Sequence, residues 1–452
     1  MPRPYAPPSV TRARPRGGAV LRTLVLRILS WRWGLVWALL LTAGAAPAAA
    51  QQADEAGRFE LDMESVQGIL EIQQINGWLL YDRQGQNPIA LAVARPTGGQ
   101  AFHRWFYLVP AQGEPVLLVH RADAGRFAHL PGRTVEYTDY ASLERGLAGM
   151  LSGIGEVAME YSPMAALPDL ARVDAGTVEL VRAQGVTVRS SADLVLLAKS
   201  LWRPEQRVSH YVAGHHLTQL RQAALAFVTE RVRADQPVTE AEVQDFLLRG
   251  YKVRGLDGPR PIVATTVNAA DPAYVTGAAG QVAIQRGDLL LIDMAARVAD
   301  QPRAVYATTT WMAYVGDQVP ARFTGPFAAL VEARDAAVKL IEERVQRRRV
   351  VKGHEVDRAA RAVLERAGLG DAFLDRTGHS LDTDLNGGGA NLDDYITRDT
   401  RALLMGAGFT VAPGLYVKGE MGMRSAVNVH IGPGGVEVST PAQTEITPLL
   451  AP

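Results

Sequence analysis

Asp293 is the residue that most clearly asks for chemistry. It closes the apolar run Gly287-Asp288-Leu289-Leu290-Leu291-Ile292, and a second run rich in Thr, Tyr and Val follows across a loop, ending at Gly316. Two such runs around a loop predict adjacent antiparallel strands. A carboxylate inside such a pair is costly to bury unless a basic side chain or a metal ion meets its charge. The sequence has nine histidines and no cysteine, so thiol nucleophiles and disulfides are excluded. His103, His120 and His129 show no metal-ligand spacing and read as surface or hydrogen-bonded strand residues. His215 and His216 are adjacent on a predicted helix, where neighbours diverge by about 100° and do not share one ion.

The elements that must position Asp293 fall into an α/β (α+β) architecture of two domains. From 55 to 199 the pattern predicts a smaller α/β domain, with strands at 104–109 and 115–120 around a Pro-Ala-Gln-Gly-Glu turn and another near 157–160. Trp202-Arg203-Pro204-Glu205 marks the boundary, Pro204 being tolerated in a first helical turn. The second domain, 203–450, carries predicted helices from about 206 to 235, from the capping box Thr239-Glu240-Ala241-Glu242 to about 250, from 322 to 349 and from 355 to 367. Two helix pairs, each tied to strands, predict pseudo-symmetric halves.

Residues 1–50 read as an export signal: Arg12, Arg14, Arg16, Arg22, Arg27 and Arg32, an apolar run from 34 to 46, then Ala48-Ala49-Ala50 before Gln51. The apolar run is shorter than the ~20 residues of a spanning helix, so no stable membrane anchor is expected after cleavage. The expected location is periplasmic or secreted. The 452-residue chain is 47% hydrophobic and 21% charged with zero formal net charge, which gives no general attraction to nucleic acid.

With these residues in hand, the chain resembles the pita-bread metallopeptidases, the group of Xaa-Pro aminopeptidase, prolidase, creatinase and methionine aminopeptidase. The carrying motifs are Leu290-Leu291-Ile292-Asp293, Thr308-Thr309-Thr310, Thr377-Gly378-His379, Val411-Ala412-Pro413-Gly414, Gly422-Met423-Arg424-Ser425-Ala426 and Gly435-Val436-Glu437. The resemblance is specific over 261–440 and looser over 55–199. It implies an antiparallel sheet covered by helices, and a homodimer. It also implies two divalent ions (Mn, Zn or Co) held by two Asp, one His and two Glu. Such ions polarise a scissile carbonyl and lower the pKa of bound water.

Carried over residue by residue, the resemblance makes Asp293, His379 and Glu437 remnant metal ligands. Thr308 and Ala426 replace the other two, so full metal occupancy is not expected. Ala273 and Asn386 stand where the family has catalytic-site histidines, and Ala412 where it has Glu. Tyr274, Thr310 and Arg424 would line the substrate cleft. Losses at polar site positions beside intact scaffold residues predict a pseudo-peptidase whose cleft binds peptides or small ligands without cleaving them. Two alternatives stay open: an active enzyme with Asp382, Asp384 or Glu420 as substitute ligands, and metal-free hydrolysis of the creatinase kind.

Overall fold

The computed structural model describes residues 63–452; the predicted export signal lies outside them. Helix α1 spans Met63–Gln73. Before Leu201 the chain builds a six-stranded sheet. Its strands are β1 (Gly77–Asp82), β2 (Trp105–Pro110), β3 (Val116–His120), β4 (Arg133–Tyr137), β5 (Glu156–Met159) and β6 (Thr187–Ser190), in the order β4-β3-β2-β1-β5-β6. β1 is buried at every position because both faces of the sheet are covered. Trp78, Leu80, Trp105 and Tyr107 pack on one face, and Leu79, Tyr81, Phe106 and Leu108 on the other. α2 (Pro88–Ala94), α3 (Tyr140–Leu151), α4 (Ala175–Arg182) and α5 (Ala192–Ser200) accompany this sheet. Glu160 is buried and receives hydrogen bonds from Trp78 Nε1, Asn87 Nδ2 and Ser191 Oγ.

Past Leu201 the predicted helices appear with small shifts at their ends. α6 (Pro204–Arg233) and α7 (Glu240–Val253) open this part, and the predicted Thr239/Glu242 capping box is formed. β7 (Leu256–Asp257), β8 (Ile262–Thr265), a single helical turn α8 (Thr266–Ala269), β9 (Leu289–Val298) and β10 (Ala307–Tyr314) follow. The two runs around the Asp293 loop are antiparallel, as expected. α6, α7 and this sheet share one core through Leu217, Leu220, Leu247, Leu290 and Ile292.

The second half repeats the plan. α9 (Ala321–Gln346) and α10 (Gly353–Arg366) precede β11 (Gly378–Leu381), β12 (Gly408–Val411), the hairpin β13 (Gly414–Val417) and β14 (Met421–Arg424), then β15 (Val427–Gly432) and β16 (Gly435–Val438). β11-β12-β15-β16 form a four-stranded sheet, and β17 (Thr447–Pro448) returns to pair with β10. Each half thus contributes a helix pair and strands.

Candidate functional site

The carboxylate of Asp293 finds its cation in Arg424. Directly across the β9/β10 ladder stands Thr310, whose hydroxyl donates to Asp293 Oδ1 at 2.9 Å. Arg424, arriving on β14, donates to Asp293 Oδ2 at 2.7 Å and to the Tyr416 hydroxyl at 2.7 Å. A third Arg424 bond reaches the Pro272 carbonyl at 3.1 Å, tying in the loop before Ala273. Burial works against the Arg424 charge, but the Tyr416 hydroxyl and Asp293 outweigh it and hold the guanidinium above its ordinary pKa. Three residues singled out from sequence therefore meet in one polar group, and Tyr416 is a member that sequence reasoning missed.

Across from β10 lies a wall made by β11, β12 and β15. Register aligns His379 with Thr410 and Thr410 with Asn428. Continued one step, the β12/β15 register sets Ala412 opposite Ala426. Opposed residues in an antiparallel pair share a face, and alternation puts Ala412 on the Thr410 face. Thr308 meets this wall. Its N–H donates to Asn428 Oδ1 at 2.8 Å, and its hydroxyl donates to Thr410 Oγ1 at 3.1 Å while accepting from Asn428 Nδ2 at 2.6 Å. All three side chains are buried. Burial, with Arg376 nearby, pushes the His379 imidazole down to about 4, so it is neutral at physiological pH; Asp293 is close enough to oppose that shift.

Glu437 belongs to a different neighbourhood. It pairs with His430 across β15/β16, and His430 lies four residues beyond Ala426, about 13 Å at ~3.3 Å per residue. Its carboxylate forms a half-exposed ion pair with Arg207 at 2.8 Å. The structure brings Asp293 and His379 near one another and does not bring Glu437 to them. Tyr274 is also turned away from Asp293: its hydroxyl donates to the buried Glu240 at 2.5 Å. Asn386 is exposed and accepts from Arg376 at 2.8 Å.

The substitute ligands considered from sequence are occupied or distant as well. Asp382 accepts from the Asp384 and Gly388 backbones, Asp384 pairs with Lys199, and Glu420 is exposed on a turn. The residues at this site do not fit a pair of divalent ions. Asp293 is already hydrogen-bonded on both oxygens, the Thr308 hydroxyl is spent, and Ala412 and Ala426 offer no donor atoms.

One expectation about histidines needs correcting. His103 and His120 do come together, because the β2/β3 hairpin sets Trp105 opposite Val119. Their rings stack at 3.8 Å, and His103 Nδ1 lies 2.9 Å from Asp123 Oδ2. Among the described residues these three form the one group whose ligand atoms lie close enough for a shared ion. Asp123 is already taken up by the Phe102 and His103 backbone N–H groups and by Arg126.

Two glycines in the surviving motifs have steric reasons. A Cβ on Gly378 would sit 2.0 Å from the Thr410 carbonyl oxygen, and one on Gly422 would sit 1.7 Å from that of Ala269. Both mark places where backbones touch.

Residues 215–433 match the family model for metallopeptidase family M24. In sequence, the chain is 27% identical over 213 residues to proteins named "Probable dipeptidase PepE" from Mycobacterium bovis and Mycobacterium tuberculosis. That match covers 45% of this chain and spans about half, 52%, of those relatives' length. In structure, the chain is similar to the dipeptidase PepE of Mycobacterium ulcerans (TM-score 0.65, 20% identity, covering 86% of this chain and 99% of that one). It is also similar to a prolidase from Thermococcus sibiricus (TM-score 0.59, 17% identity, 85% and 98%) and to the Xaa-Pro dipeptidase of Bacillus anthracis (TM-score 0.59, 18% identity, 85% and 98%). The fold is that of the pita-bread enzymes. The second part of the chain is similar to the M24 metallopeptidases.

Proposed function

We propose that this protein is an exported, dimeric pita-bread protein that has lost peptidase chemistry and binds peptides without cleaving them. One observation carries the reading: the Thr308–Asn428–Thr410 hydrogen-bonded group stands where the family pattern has a bridging carboxylate. Beside it on the same face, Ala412 and Ala426 are paired with no ligand atoms. Even loss of outer-shell support costs ~10–100-fold in metal affinity, and here direct ligands are missing. The export reading rests on residues 1–50, and the dimer on the resemblance alone.

Calorimetric titration with Mn²⁺, Zn²⁺ and Co²⁺ tests the proposal. The expected result is no two-ion uptake by the native protein, with uptake gained in a Thr308→Asp/Ala412→Glu/Ala426→Glu variant. Tight binding of two ions by the native chain, followed by hydrolysis of an Xaa-Pro peptide, would overturn it.

A further inference from the structure

The β2/β3 hairpin gathers a second set of metal-ligating side chains, outside the motifs that carry the family resemblance. A backbone bond from the Asp123 N–H to the His120 carbonyl, at 2.8 Å, closes a turn at the end of β3. That turn brings Asp123 back against His103, just before β2, whose Nδ1 donates to Asp123 Oδ2 at 2.9 Å. The His120 ring stacks on that of His103 at 3.8 Å. Phe102 stands edge-on to His103 at 5.3 Å and Tyr137 edge-on to His120 at 5.2 Å, so each imidazole has an aromatic neighbour.

The Asp123 side chain is only 5% exposed. Its Oδ2 also accepts from the Phe102 and His103 N–H groups, and its Oδ1 from Arg126 Nε. Bonds of this kind hold a ligating carboxylate in place. At ~2.1 Å from one ion, two ligand atoms at a right angle stand about 3 Å apart. The His103–Asp123 separation of 2.9 Å fits that bite, and one ligand atom from each of the three residues lies within 4.8 Å of the others. His103 is 39% exposed, which leaves a way in. The arginines around the group are engaged elsewhere as well: Arg126 donates to the Thr97 and Gly98 carbonyls, Arg121 pairs with Glu136, and Arg104 lies over the Tyr140 ring. One carboxylate among such cations is too little for Mg²⁺ or Ca²⁺, which take mostly oxygen ligands. Imidazole nitrogens suit Zn²⁺, Ni²⁺ and Cu²⁺.

We propose that His103, His120 and Asp123 bind one divalent transition-metal ion such as Zn²⁺, with solvent completing its shell. The ion takes the place of the proton between His103 Nδ1 and Asp123 Oδ2, and that proton moves to Nε2 of the same ring. Stacked rings do not aim at one point, and His120 Nδ1 accepts from the Ala122 N–H at 3.2 Å. Binding therefore turns His120 about its outer torsion, which is broad in imidazoles. The ion ties the residue before β2 to the end of β3 and the turn after it, independently of the peptide-binding reading.

Calorimetric titration of Zn²⁺ into the metal-free, untagged protein tests it, together with imidazole ¹H–¹⁵N spectra. One ion per chain is expected, with no uptake when Mg²⁺ replaces Zn²⁺, and the His103 and His120 resonances are expected to shift together. A His103→Gln/His120→Gln variant is expected to bind Zn²⁺ at least tenfold more weakly, with the unfolding temperature of the metal-free protein unchanged. Absence of Zn²⁺ uptake by the native protein, or uptake that survives at full strength in the variant, overturns the assignment. Resonance shifts confined to other histidines overturn it too, and a shift of His379 alone would move the ion to the group around Asp293. Should the variant fail to fold, the two native resonances decide.

Discussion

Replacing Asn428 with Ala probes the joint between the β9/β10 sheet and the second-half wall. Asn428 is fully buried, and its amide both accepts from the Thr308 N–H and donates to the Thr308 hydroxyl. Truncation leaves the Thr308 N–H with no partner in a buried setting, a cost of ~1–3 kcal/mol. The space vacated by three heavy atoms adds about 1 kcal/mol if the site does not collapse. The Thr308 hydroxyl keeps its bond to Thr410, so its loss is partial. The expected destabilisation is therefore about 2–4 kcal/mol, read as a lower urea midpoint at constant slope, in the presence and absence of EDTA alike. A loss below about 1 kcal/mol would show that the joint depends little on these bonds. A midpoint that falls sharply with EDTA in the native protein would show that an ion, rather than this hydrogen-bonded group, holds the joint.

Other substitutions separate the scaffold from the chemistry. Gly378→Ala drives a Cβ against the Thr410 carbonyl and is expected to cost about 3 kcal/mol or more in thermal unfolding. Glu437→Gln breaks a half-exposed pair with Arg207; its stability change is expected to stay within about 1 kcal/mol, and calorimetry should show no change in metal uptake. His210 is buried between the Tyr306 carbonyl and Ser439, and burial lowers its imidazole from 6.5 to about 4. A depressed His is neutral when folded, so its contribution is complete above about pH 6.5 and is lost as pH falls toward 4. The span is worth about 3 kcal/mol at 1.36 kcal/mol per unit. His210→Gln should flatten urea stability across that window, and an unchanged slope would refute the assignment.

Much of the fold could be read directly from residue patterns. The Asp293 strand pair, the Thr239 capping box and the four long helices all follow from apolar periodicity and local caps, which act within a few residues. What escaped depends on register between distant strands. Glu437 follows a plausible motif, yet the β15/β16 pairing displaces it along the sheet from Ala426. His103 and His120 flank one hairpin and stack because of its register, which residue patterns alone do not fix. Arg334, on α9, is buried and bonds Ser425 and the Gln443 carbonyl, partners far along the chain that no local pattern announces. The cation for Asp293 was half legible: the demand was clear from its strand, whereas the supplier, Arg424, lies 131 residues away.

Gly378 and Gly422 bear on what kinship means in this chain. Each stays because a side chain there would strike a carbonyl oxygen, a constraint that acts whether or not any reaction takes place nearby. Ala412 and Ala426, by contrast, carry only a methyl side chain with no donor atom. Ancestry in such a protein is recorded where backbones have no room, while reactivity depends on positions free to vary. The fold can therefore stay readable whatever those variable positions hold.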